Sequence, residues 1–130
     1  MPNRKRSTRA TPAKNAAVLR KFALGFPEAY EEFPWGEPVF KVRKKIFLFL
    51  SRDATGLRLS MKLPVSYGAA LLAPFTKPTA YGLGKSGWIT ASFAAKDHVP
   101  MDILKSWIDE SYRAIAPKRL SSSIAGTSGF

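Results

Sequence analysis

Between Val39 and Leu63 three short apolar-rich runs follow one another with only a few residues between them, and this spacing restricts the fold more than any other feature of the chain. In the first run Phe40 and Val42 alternate with Lys41 and Arg43, which is the pattern of a strand with one face buried. Lys44-Lys45 then turns the chain into Ile46-Phe47-Leu48-Phe49-Leu50, an unbroken apolar run that fits a central strand covered on both faces or partly by neighbours. Asp53-Ala54-Thr55-Gly56 reads as the next turn, after which Leu57, Leu59, Met61 and Leu63 alternate with Arg58, Ser60 and Lys62. Connections this short join antiparallel neighbours, because a parallel crossover needs a dozen or more residues.

Helical signals flank these strands. Asn15 is placed to cap a helix in which Leu19, Phe22, Ala23 and Phe26 fall on one stripe, and Gly25 and Pro27 stop it. Glu28, Glu31 and Glu32 mark an acidic loop. Beyond Pro64, Ser66 is placed to cap a short helix through Leu71 and Leu72. Tyr81-Gly82-Leu83 and Trp88 to Phe93 then read as two further strands joined through Gly84-Lys85-Ser86-Gly87. A last helix opens near Pro100, carries Leu104, Trp107, Ile108, Ser111 and Ile115 on one face, and ends at Ala116-Pro117. The expected fold is a two-layer α+β domain of order α-β-β-β-α-β-β-α, with a five-stranded antiparallel sheet and its helices on one face. Residues 1–14 read as a disordered basic arm, 15–120 as the domain, and 121–130 as a flexible tail rich in Ser and Gly.

Charge sets the class of partner. Lys and Arg number 21 against 9 Asp and Glu, a net charge of +12, so the chain attracts polyanions. Arg4, Lys5, Arg6 and Arg9 cluster in the arm. Lys41, Arg43, Lys44, Lys45, Arg58 and Lys62 crowd a stretch in which Asp53 is the single acid, whereas a merely solvated surface mixes signs. No window approaches the roughly 18 apolar residues of a membrane span. With no Cys the chain has neither a disulfide nor a thiolate metal site, which fits a cytoplasmic setting.

Chemistry finds little support. His98 is the sole His, so neither a triad nor a multi-His metal site can be assembled from this chain, and it falls in a loop. Gly84-Lys85-Ser86 lacks both the earlier glycine and the following helix of a phosphate loop, and a hairpin turn accounts for it better. Asp109 is spaced for surface pairing with Lys105 and Arg113. Glu28, Glu31 and Glu32 lack a His or Asp partner for a metal. The expectation is no catalytic residue, no metal and no cofactor.

Phe33-Pro34-Trp35-Gly36-Glu37-Pro38-Val39-Phe40-Lys41-Val42, followed by Lys45-Ile46-Phe47, resembles the opening signature of the MmcQ/YjbR family. Gly87-Trp88-Ile89 and the closing Ala116-Pro117-Lys118-Arg119-Leu120 are similar to that family's second half, so the likeness runs over roughly residues 18–120. Trp35, Gly36, Pro38, Phe40, Trp88, Pro117 and Lys118 carry it. The resemblance implies a compact α+β domain with a DNA-binding role tied to a double-wing arrangement of strands. Many members have a His before the strand Trp, where this chain has Gly87. The leading expectation is a non-enzymatic DNA-binding domain that meets phosphates through basic strand faces, a hairpin tip and the arm. The alternative is a protein- or small-ligand-interaction module using a groove lined by Trp35, Tyr67 and Trp88. These readings diverge on whether the basic side chains converge on one face.

Overall fold

The computed structural model describes residues 11–124. Helix α1 runs over Pro12–Leu24. Its cap is Thr11, whose side chain accepts from Lys14 N–H at 3.1 Å, with Pro12 in the first turn where its missing N–H costs nothing. Asn15, expected as the cap, is instead buried within the helix, so residues 12–14 assigned to the arm belong to the domain.

The acidic segment expected as a loop contributes a sixth strand. The elements are β1 (Tyr30–Glu32), β2 (Val39–Val42), β3 (Lys45–Asp53), β4 (Gly56–Lys62), α2 (Tyr67–Ala70), β5 (Thr76–Pro78), β6 (Trp88–Ala94), α3 (Met101–Ile115) and α4 (Lys118–Ser121). All strand pairs are antiparallel, in the order β1-β2-β3-β4-β6-β5. Tyr81-Gly82-Leu83, expected as a strand, lies in a turn leading to a 3-10 helix at Leu83–Ser86. The strand that pairs with β6 is Thr76–Pro78, an edge position where Pro78 removes no ladder bond from a central strand. Ser121, assigned to the tail, closes α4.

Helices α1 and α3 pack on β3 and β4. Leu57, Leu59, Met61 and Leu63 point into this layer as the alternation predicts, beside Leu19, Ala23, Leu104 and Ile108. On β3 the register shifts between Phe40↔Leu48 and Lys41↔Ile46, leaving Phe47 without a partner on β2. This bulge places two successive large side chains, Phe47 and Leu48, in the core with no exposure. Phe47 meets Phe26 and Tyr112 edge-on, with ring centroids 6.2 and 5.2 Å away. At the β3-β4 hairpin, Asp53 accepts from both Thr55 and Gly56, and a Cβ on Gly56 would lie 2.0 Å from the Phe93 carbonyl oxygen. The Thr55 hydroxyl and backbone hold the Asp53 carboxyl below its usual range.

Past the end of the β3-β4 ladder, α3 supplies the missing hydrogen bonds. Ser111, fully buried, donates to the Phe47 carbonyl at 2.6 Å and accepts from Lys62 N–H at 2.9 Å. The β3-β4 ladder has already ended at Phe49↔Ser60, so this hydroxyl serves both backbone groups just past it. Glu110, one residue earlier, accepts from the N–H groups of Val65 and Ser66 at 2.8 and 2.9 Å and fixes the approach to α2. Ser66 is thus no side-chain cap, since its hydroxyl donates to Glu110. Tyr112 stacks on Phe26 with centroids 4.5 Å apart and donates its phenol to the Pro27 carbonyl at 2.7 Å.

Replacing Ser111 with Ala strands a buried carbonyl and a partly buried N–H, so the variant should lose about 2–4 kcal/mol in equilibrium denaturation. A loss under about 1 kcal/mol would contradict the bridging role. Burial, reinforced by the Glu28 charge, pushes the Tyr112 phenol above its ordinary value of 10.0. The folded state therefore favours the protonated phenol, and the stability this contributes is intact below that value and lost as pH rises through the elevated one. Phenolate absorbance, compared between the native chain and Tyr112→Phe, should assign a late-ionising phenol to this residue. A difference trace with its midpoint at or below 10 would contradict the buried hydrogen bond.

Candidate binding surface

The helices cover one face of the sheet, and alternation sends the other residues of the same strands to the opposite face. Phe49, Ser60 and Thr90 lie abreast on β3, β4 and β6, as do Ser51, Arg58 and Ser92 one pleat along. Val39 pairs with Phe49, and Trp88 with Lys62. Val39 and Trp88 are buried yet stand outside the main apolar cluster, because they belong to this second face. Trp88 packs edge-on against Phe49 at 5.5 Å. The reading of β3 as covered on both faces therefore holds for part of its length.

The structure divides the expected basic residues into three groups. Arg4, Lys5, Arg6 and Arg9 lie outside the described residues. Lys41 and Arg43 are ion-paired: Lys41 Nζ is 2.8 Å from Glu32, and Arg43 holds Glu28 through Nε at 2.6 Å and Nη2 at 3.1 Å. The Arg43 hydrogen bond holds Glu28 below the usual carboxylate range, and the hydrogen bonds to Glu32 and Glu28 raise Lys41 and Arg43. Arg58, Lys62, Lys44 and Lys45 form no ion pair among the described residues. Arg58 is exposed and Lys62 half-buried on the outer face of β4, roughly 13 Å apart along the strand. Lys44 and Lys45 are exposed at the β2-β3 turn, where Arg43 and Lys44 both take positive φ, 50° and 69°.

Glu31 pairs with Arg20 at 2.9 Å, so the three acids weighed as a metal cluster each face a separate cation. Asp109 and Arg113 pair as their spacing predicts, while Lys105 instead lies 5.7 Å over the Phe22 ring. His98 is exposed.

A groove of about 530 Å³ opens on the outer face between the turn at residues 33–38 and the segment 79–83. Trp35, Pro38, Phe49, Tyr81 and Leu83 supply its apolar lining, and Arg58, Lys77 and Glu37 its charges. Its polar floor is a chain of hydroxyls, Ser60 to Thr90 at 2.7 Å and Thr90 to Thr79 at 3.0 Å. Of the residues expected to line a groove only Trp35 does so: Tyr67 packs against the main core, and Trp88 lies beneath Phe49. Lys77, Thr79 and Tyr81 were missed because the segment was expected to be a strand beginning at Tyr81. The Tyr-Gly pair was a turn signal, and Tyr81 and Gly82 take successive positive φ, 62° and 81°.

The motif residues serve the frame. Gly36 takes φ +85° in the turn that presents Trp35, the Pro38 carbonyl accepts from Leu50 N–H at 3.2 Å, and Phe40 is fully buried. Pro117 caps α4 and its carbonyl accepts from Leu120 and Ser121, while Lys118 opens that helix.

No curated protein matches the chain. Among solved structures it is similar to a Deinococcus radiodurans protein described as a DUF419 domain, at 24% identity over 88% of this chain and 94% of that one, with a TM-score of 0.65. It is also similar to a Pseudomonas syringae protein at 18% identity, over 75% of this chain and 96% of that one, with a TM-score of 0.57. At these identities the likeness concerns the fold. The YjbR family model matches residues 24–114, which take in the Trp35 turn, all six strands and nearly all of α3. The chain belongs to the YjbR family.

Proposed function

We propose that this chain is a non-enzymatic DNA-binding module that meets phosphates on the face of its sheet opposite α1 and α3 and at the β2-β3 hairpin tip. The observation that supports this reading is that most of its acids are already engaged within the fold, which leaves the cations of this face without an acidic partner among the described residues. Of the nine acids, Glu28, Glu31, Glu32 and Asp109 are held in ion pairs. Asp53, Asp97 and Glu110 accept from backbone N–H groups, which leaves Glu37 and Asp102. Most acids are thus engaged within the fold, around β1, α3 and the loops, while Arg58, Lys62 and Lys77 on the outer face, with Lys44 and Lys45 at the tip, form no ion pair among the described residues. An uncompensated cation lowers its energy most by meeting a phosphate and releasing the phosphate's condensed counterions.

Affinity of the full chain for duplex DNA should fall steeply with salt. Replacing Arg58, Lys62 and Lys77 together by Gln should flatten the log-log slope by roughly 2–3, since each lost phosphate contact removes about 0.9. Circular dichroism of the triple variant should match that of the native chain, because none of these side chains forms an ion pair among the described residues. An unchanged slope would contradict the assignment of the face.

A further inference from the structure

The groove on the outer face has features that phosphate contact alone leaves unexplained. Its volume, about 530 Å³, falls within the roughly 300–1,000 Å³ of small-ligand sites. Trp35 is 70% exposed and Tyr81 fully exposed, yet both line the same groove, and neither ring enters an aromatic or cation-π contact among the described residues. Both are held out by turns that favour glycine or strain another residue: Gly36 takes φ +85° beside Trp35, and Tyr81 itself takes φ 62°. Strained backbone that displays an unpartnered aromatic ring is characteristic of a binding site rather than of a packing solution.

The polar floor is also incomplete. In the Ser60-Thr90-Thr79 chain three hydroxyls share two hydrogen bonds, so one O–H remains to donate and several lone pairs remain to accept. Arg58 and Lys77 stand on the lining, and Glu37 is its one carboxylate. Aromatic faces, a short row of donors and acceptors, and two cations together match a planar heterocycle that carries an anionic group.

We propose that this groove binds a nucleotide. Its base stacks on Trp35 or Tyr81, the base edge meets the hydroxyl row, and its phosphate is held by Arg58 or Lys77. The inference rests on the nucleic-acid reading for the source of the ligand and extends it, because duplex DNA keeps its bases stacked inside while a single strand or a free nucleotide offers an open face.

The test measures binding of the full chain to an oligothymidylate single strand, to AMP and to a duplex of matched length, for the native chain and for Trp35→Leu/Tyr81→Leu. The single strand should quench tryptophan emission, and the double variant should bind it roughly ten- to a hundred-fold more weakly while its duplex affinity stays within about twofold. Binding of AMP that competes with the strand would identify a free nucleotide as a natural occupant. Strand binding without AMP binding would place the nucleotide within a polymer. Equal losses for strand and duplex, or no loss for either, would overturn the groove assignment and leave the phosphate-contact reading standing. AMP binding with no DNA binding would support the groove and overturn that reading. Binding of none of the three would overturn both.

Discussion

One hydroxyl, that of Ser111, holds α3 against two strands at once, and the asymmetry of the sheet depends on that contact. The β3 bulge turns Phe47 and Leu48 together into the core, which deepens the apolar layer, while on the β4 side the β3-β4 ladder ends at Phe49↔Ser60. Ser111 donates to the Phe47 carbonyl and accepts from Lys62 N–H beyond the end of that ladder. A helix fixed at this point, with Glu110 holding the next loop and Tyr112 stacked on Phe26, leaves no room for a solvated layer on its own side. The opposite face of the same strands is spared. It carries Phe49, Arg58, Ser60, Lys62 and Thr90 and, among the described residues, receives the turn at Trp35 and the segment from Thr79 to Leu83.

The electrostatics follow the same division. Exposed ion pairs contribute little stability, generally up to about 1 kcal/mol, so pairing Glu28, Glu31 and Glu32 with Arg43, Arg20 and Lys41 does more to direct charge than to hold the fold. It engages the acids of β1 and of the turn before it, while Arg58, Lys62 and Lys77 on the opposite face, and other cations such as Lys21 on α1 and Arg119 on α4, form no ion pair among the described residues. Lys41 and Arg43, expected as phosphate contacts from their alternation on β2, are ion-paired with acids that lie nine and fifteen residues earlier in the chain.

Alternation along β2 and β4 was readable because it reports which side of a pleated strand meets apolar neighbours, and Leu57, Leu59, Met61 and Leu63 all point to the core. The stripe on α3 was readable for the same reason, down to Ser111, although its partners on β3 and β4 were not. Strand β1 escaped detection because Tyr30-Glu31-Glu32 has no apolar alternation and is held as an edge by pairing with β2 and by ion pairs. Strand β5 escaped because Pro78 argues against a strand everywhere except at an edge. The groove was legible only through Trp35, since its other wall comes from a segment whose turn geometry depends on strand order. The hydroxyl row joins Ser60, Thr79 and Thr90, which come together only once β4 and β6 are neighbours.

The central claim is that the face opposite α1 and α3, together with the hairpin tip, is the surface that receives nucleic acid. Amide shift mapping of the labelled full chain during titration with DNA at low salt tests it most directly. The account predicts perturbations concentrated on Arg58 to Lys62 of β4, on Thr90 and Ser92, on Lys44-Lys45 and around Trp35 and Tyr81, with α1 and the outer side of α3 unmoved. Perturbations confined to the helical layer, or none at saturating DNA, would contradict it.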